Sequence, residues 1–378
     1  MVPAPSPLPL PSRIDSLTSL RFFAATWVLA LHVSNNYAVF GLNGSTFLEN
    51  GDYGVDLFFI LSGFILSHVY MGQVQSGNFH YTSFLLARIS RIWPVHAFIT
   101  VLYVITLLAI NLIGHGDHMI PIGFILANLL LVHSWGFYGL PDLNGPSWSV
   151  SAEFMAYVLF PVFIAMYLKL RQHPFVFAGW AWGLLGGASL LAQAMGWGDL
   201  SDLWFRTAAL RILPEFLLGC AVFACAQKVT LPYAAARTWA YSCTLAIAVL
   251  SIFQEWDWLV TGLFGALIFL LAQCAKHHQR GAMSHPWLLY LGEASYSLYM
   301  VHDYVLGNLH DARLRTGQIA SGGLLPFDAF AIAAIACVFL AMAISYRWLE
   351  LPARAALRRL DPRVRAISQH ILASAKIS

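Results

Sequence analysis

Apolar residues run along this chain in long blocks, with neither the alternation of a half-buried strand nor the narrow stripe of a surface helix. Ten blocks stand out, at 17–35, 53–71, 93–113, 149–168, 175–196, 206–227, 235–253, 258–275, 286–307 and 324–348. Their lengths match the about 20 helical residues needed to cross a hydrocarbon core of about 30 Å. Backbone polar groups in lipid must be satisfied internally, which leaves helices or closed barrels, and the two-residue alternation of a barrel strand is absent. The pattern predicts an all-α fold, a polytopic integral membrane helical bundle of about ten transmembrane helices.

A shorter block at 121–135, "PIGFILANLLLVHSW", is ambiguous in length. The basic residues arbitrate, because cytoplasmic loops are enriched in Lys and Arg. With ten crossings, only Arg206, Arg211, Arg313 and Arg315 of the 21 basic residues fall outside. An eleventh crossing would flip every later loop and leave fewer than half inside. The ten-span arrangement predicts a multi-pass protein of the cytoplasmic membrane with both termini cytoplasmic and the 114–148 segment external or re-entrant.

Composition agrees: 59% of residues are hydrophobic, 10% are charged and mean hydropathy is +0.67, whereas soluble domains carry about 25% charged residues. The net charge of +3 is mostly a topology signal. No interleaving of basic and aromatic residues points to nucleic acid, so none is expected as a partner. Five cysteines lie in or beside apolar blocks without metal-ligand spacing, which predicts buried thiols and no metal. The proline-rich stretch 1–16 lacks the pattern of a cleaved signal peptide and reads as a disordered tail. One membrane domain is expected over 17–350, followed by a basic cytoplasmic tail over 351–378 that is long enough for one amphipathic helix on the inner leaflet.

Polar residues inside such blocks are costly and mark functional candidates. His32 lies about 22 Å along the first block, in its outer half. Function and a neutral histidine sharing a hydrogen bond are evenly matched readings. Arg21, eleven residues earlier, shares its face and either lines a path toward His32 or snorkels to the inner interface. Asp56 opens the second block, where it suits a helix N-terminus or orients a histidine. Ser62 and Gly63 offer a small surface for close helix approach. In "ARISRIWP", Arg88 and Arg91 share a helix face as a fork able to grip phosphate, or serve as inner-leaflet anchors, with Pro94 in the first helical turn. In "NGPSWSVSAEF", Glu153 either stabilises a helix start or bonds a substrate hydroxyl, and Trp148 is either an interfacial belt residue or a platform for a sugar ring. Ser295, Tyr299 and His302 form a polar stripe suited to interhelical hydrogen bonds. Glu350 and Pro352 are expected to end the last block.

Six stretches in order, "IDSLTSLRFFAATWVLALH", "YGVDLFFILSGFILS", "ARISRIWP", "GPSWSVSAEF", "SYSLYMVH" and "YRWLELPARAALRR", resemble the membrane acyltransferase-3 family, bacterial O-acyltransferases that modify cell-surface glycans and some small molecules. The resemblance implies that His32 matches the family's first-span catalytic histidine. It implies that Arg88 and Arg91 match its RxxR pair, which engages the acyl-CoA donor, with acetyl-CoA the commonest. Glu153 falls in its WSLSxE-like motif as a further catalytic candidate, although this chain has "WSVSAEF" where many members carry a second acidic residue. "TSLRFFAA" stands where many relatives have "DGLRGIAA", which marks a subgroup. The C-terminal hydrolase domain of some members is not expected here. The implied function is transfer of an acyl group from cytoplasmic acyl-CoA to a hydroxyl of a cell-envelope glycan or lipid-linked sugar, with His32 as general base. Two rivals stand beside it: a transporter or flippase, disfavoured by the lack of repeat halves and of broken-helix pairs, and a glycan-binding receptor.

Overall fold

The computed structural model describes residues 7–37, 45–112, 120–137, 143–253, 257–279, 281–315 and 327–361. The described residues are helical or irregular, with no strand among them. In order the helices are α1 (Asp15–Asn36), α2 (Thr46–Glu49), α3 (Tyr53–Gln75), α4 (Tyr81–Leu112), α5 (Ile122–Leu129), α6 (Ser147–Val158), α7 (Phe160–Leu170) and α8 (Pro174–Ala194). They continue with α9 (Ala208–Lys228), α10 (Tyr233–Leu250), α11 (Asp257–Ala275), α12 (Pro286–Glu293), α13 (Ser295–Arg315), α14 (Phe327–Ser345) and α15 (Leu351–Arg358).

Each of the ten apolar blocks falls on a helix or a pair of consecutive helices. Among the described residues, seven helical segments are long and apolar enough to cross a membrane by themselves. The block at 149–168 is an eighth candidate, broken into α6 and α7 with a 58° bend. Pro161, which has no N–H, interrupts the hydrogen-bond ladder there, and the Tyr81 hydroxyl donates to the Val158 carbonyl beside the break at 2.9 Å. The apolar pattern of the sequence did not reveal this break. The block at 121–135 contains only the eight-residue α5, about 12 Å long and too short to cross.

Helices α3 and α9 form the centre: 67% and 78% of their most apolar windows are buried, against 28% for α4. Their crossing is close because two glycines face each other's backbone. A Cβ on Gly63 would collide with the Phe216 carbonyl oxygen, and one on Gly219 with that of Ile60. Helix α1 packs on α3, α12 and α13, and the Tyr37 hydroxyl donates to the Leu306 carbonyl at 2.8 Å. Gly292 of α12 likewise sits against the Thr18 carbonyl, where a side chain would not fit.

Two element boundaries differ from expectation. Helix α4 begins at Tyr81, so Arg88, Arg91 and Pro94 all lie inside it. Pro94 is therefore an interior proline, not a first-turn one. The last block does not end at Glu350: α14 passes through a π-helical turn, Tyr346–Glu350, into α15, with Pro352 near the start of the new helix. Proline is tolerated there because its missing N–H would have been unsatisfied anyway.

Candidate active site

Polar side chains from five helices meet around one cavity of about 120 Å³ in the bundle. Arg21 comes from α1, Ser62 from α3, Arg88 and Arg91 from α4, Glu153 and Tyr157 from α6, and Tyr296 and Tyr299 from α13. Helical spacing accounts for the pairings, since residues three or four apart share a face. Arg21 faces into this cavity and does not snorkel to the inner interface. Glu153 is the anchor of the wall, because its Oε1 accepts from Ser62 Oγ at 2.5 Å and from the Tyr157 hydroxyl at 2.5 Å. It lies in the second turn of α6 and does not cap the helix.

The cations are not neutralised. Among the described residues, no carboxylate lies within 4.0 Å of the Arg21, Arg88 or Arg91 guanidinium. Arg88 Nε and Arg91 Nη2 are buried with no acceptor, and the Arg88 guanidinium lies 5.8 Å from the centre of the Tyr70 ring. An unpaired buried donor costs about 1–3 kcal/mol, and more when charged. Such a cluster is complementary to an anionic or strongly polarised ligand.

His32 sits toward the other end of α1, eleven residues and about 16 Å along the helix axis from Arg21. Its ring meets that of His302 on α13 edge to face, centroids 4.7 Å apart and planes at 82°. His32 Nδ1 lies 2.9 Å from the Val28 carbonyl and His302 Nδ1 lies 2.6 Å from the Tyr299 carbonyl. A carbonyl oxygen only accepts, so each contact calls for the proton on Nδ1, and in the neutral form of either ring Nε2 would keep a lone pair. Asp303, the next residue, accepts from the Tyr103 hydroxyl at 2.8 Å. Tyr299 joins the two regions. Its side chain lines the arginine cavity, its hydroxyl lies 2.8 Å from Ser149 Oγ, and its carbonyl holds His302.

Several sequence candidates stand elsewhere. Asp56 orients no histidine; it is buried and accepts from Arg211 Nε at 2.6 Å. Arg211 is itself 0% exposed and also donates to the Ser201 carbonyl at 2.6 Å. Trp148 is neither a belt residue nor an open sugar platform, because it is 8% exposed and the Arg211 guanidinium lies 5.5 Å from its ring centre. Ser295 Oγ reaches no distant helix; it donates to the Gly292 carbonyl at 2.8 Å across the break between α12 and α13. Ser62 does more than pack, since it holds Glu153.

Three residues emerge only in the structure. Tyr157 and Tyr296 complete the cavity, with the Tyr296 hydroxyl donating to the Ile92 carbonyl. Glu350 is buried, accepts from Ser297 Oγ at 2.7 Å and stands within electrostatic reach of Arg91 and Arg21. Tyr157 was readable as the i+4 partner of Glu153, whereas nothing local marked Glu350 as an inward residue. Among the described residues, no cluster of three His, Cys, Asp or Glu side chains is placed to hold a metal ion.

Comparison with known proteins adds the reaction class. The profile of the family described as an acyltransferase domain matches residues 14–346, nearly the whole chain. The chain belongs to that family. The acyltransferase is 28% identical over 363 residues to the acyltransferase MdmB of Streptomyces mycarofaciens, covering 86% of this chain and 88% of the relative. It is 23% identical over 370 residues to the peptidoglycan O-acetyltransferase OatA of Listeria monocytogenes, covering 90% of this chain and 56% of that relative. The chain therefore spans little more than half of the listerial protein. No solved structure matches this acyltransferase. With its family and its several helices long and apolar enough to cross a membrane among the described residues, it is a multi-pass membrane acyltransferase.

Proposed function

We propose that the enzyme transfers an acyl group, acetyl in the first instance, from cytoplasmic acyl-CoA to a hydroxyl of a cell-envelope glycan or a similar acceptor. It does so in the cytoplasmic membrane, through ten crossings with both termini cytoplasmic. The observation that carries this reading is the set of three guanidiniums, Arg21, Arg88 and Arg91, lining one buried cavity without an ion-pair partner. Arg88 and Arg91 lie near the start of α4, at the end of the bundle where the proposed topology puts the cytoplasm. The printed name of the listerial relative supports an O-acetyl product on an envelope glycan.

The cavity volume of about 120 Å³ is small beside the about 300–1,000 Å³ of pockets for drug-sized ligands. It suits the pantetheine arm of the donor, with the thioester extending past Tyr299 toward His302 and His32. His32 Nε2, with its lone pair free, removes the proton of the acceptor hydroxyl as the oxygen attacks the thioester carbonyl. The new C–O bond forms, the C–S bond breaks, and the proton passes from His32 to the departing thiolate. His302 sets the position of His32 by ring contact. Glu153 holds the cavity wall through Ser62 and Tyr157 and places negative charge among the arginines.

The test is transfer of radiolabel from acetyl-CoA to envelope glycan in membranes carrying the wild type, His32→Ala or Arg88→Ala/Arg91→Ala. Label moved by the wild type and lost in the variants is the expected result. Full transfer by His32→Ala would remove the base role. Solute accumulation in vesicles without any acyl donor would favour a transporter instead.

A further inference from the structure

If the pantetheine arm occupies the cavity, the nucleotide of the donor must lie outside it on the Arg88 and Arg91 side, and its phosphates need partners beyond that pair. Past the π-helical turn, α15 packs on α4. A π turn holds more residues than an α turn and so rotates the following helix face by roughly a quarter turn. Arg354, one turn beyond Glu350, is half-buried and stands within electrostatic reach of Arg88, Arg91 and Glu350. Among the described residues it has no carboxylate within 4.0 Å.

Like charges at such range repel, and the local carboxylates do not balance them. Arg354 stands among Arg88, Arg91 and Arg358 with Glu350 as the carboxylate of the group, so positive charge is in excess there. Arg358 on the same helix is exposed and free to serve as an interfacial anchor. Arg354 is the more buried of the two, on a helix that packs against α4.

We propose that Arg354, presented by α15 beyond the π-helical turn, is a phosphate-binding residue for the nucleotide end of the acyl-CoA donor, extending the Arg88 and Arg91 pair toward the cytoplasm. This rests on the donor reading above. Guanidinium groups suit the task because their planar fork bonds phosphate oxygens in pairs.

The experiment compares two donors, acetyl-CoA and acetylpantetheine, which carries the same thioester without phosphates. The wild type, Arg354→Ala and Arg354→Lys are assayed in phosphatidylcholine and in phosphatidylglycerol vesicles, and CoA binding is measured alongside. Arg354→Ala should raise KM for acetyl-CoA about tenfold, the loss of one charge-assisted phosphate contact. It should leave kcat and the KM for acetylpantetheine within about twofold of wild type, and Arg354→Lys should recover part of the loss. A KM that rises equally for both donors would overturn the proposal, as would one that does not rise. An effect confined to phosphatidylglycerol vesicles and common to both donors would assign Arg354 to a lipid headgroup and overturn it as well. If the wild type neither binds CoA nor transfers from acetyl-CoA, the donor reading itself fails. If the wild type does both and only the Arg354 result is negative, the donor reading stands and this inference alone falls.

Discussion

Replacing Arg211 with Gln should destabilise the enzyme severely without touching its chemistry. The Arg211 and Asp56 side chains are 1% and 2% exposed and 2.6 Å apart. Removing one member of such a buried pair leaves the other charge uncompensated, at about 3–5 kcal/mol. The bond to the Ser201 carbonyl at 2.6 Å is lost as well, adding about 1 kcal/mol. The expected loss of about 4–6 kcal/mol rivals the whole stability of a marginal protein. It should lower the melting temperature of the detergent-purified protein by on the order of ten degrees. Asp56→Asn/Arg211→Gln, which removes the closest pair and leaves Asp52 and Glu215, the carboxylates 3.5 and 3.9 Å from Arg211, should melt above Arg211→Gln. Turnover per folded molecule should be unchanged in Asp56→Asn. A double variant no more stable than the Arg211 single would refute the ion-pair account. A fall in turnover per folded Asp56→Asn molecule would return Asp56 to catalysis.

Other expectations follow from the same geometry. His32→Ala should lower kcat by about 10²–10⁴-fold, the usual worth of general base catalysis, with unchanged elution on size-exclusion chromatography. His302→Gln should lower kcat at constant KM for the donor, as a residue acting through His32 would. Gly63→Val should prevent monodisperse folding because the Phe216 carbonyl occupies the space, whereas Gly72→Ala, where nothing lies within 4 Å, should be neutral or mildly stabilising. Lys276, just past α11, is 2% exposed and donates to the Val229 carbonyl at 2.5 Å. Burial pushes its ammonium down to about 8 from the ordinary 10.5. Below pH 8 both folded and unfolded chains carry the charge. Between about pH 8 and 10.5 only the unfolded chain does, so stability should rise with pH across that window, and Lys276→Met should abolish the rise.

The helices were legible because hydropathy reports solvent, and lipid is the solvent for most of this chain. The run at 17–35 became α1 and that at 258–275 became α11 with little change. Breaks were harder to see. Pro161 marks the α6/α7 bend, yet Pro94 and Pro352 lie within or beside helices that continue, because proline alone does not say whether a neighbour will satisfy the freed carbonyl. Arg21, Arg88, Arg91 and Glu153 were readable singly, but their convergence is a tertiary fact. Asp56 misled for the same reason: its helix-end position was visible, while its partner Arg211 lies 155 positions away. Glu350 and Arg354 looked like a chain terminus and its anchor, since a π-helical turn leaves no periodic signature in so short a stretch.

The histidine pair also has a consequence for synthesis. His32 is on α1 and His302 on α13, helices joined by a hydrogen bond that spans 269 positions of chain. At about 5–20 residues per second, tens of seconds separate the insertion of His32 from the arrival of His302. For most of that interval the nascent protein already holds Arg21, Arg88 and Arg91. Without Tyr296 and Tyr299 the wall of their cavity is incomplete. The order of elements along the gene thus delays assembly of the arginine cavity and the histidine pair until almost the entire bundle is in the membrane.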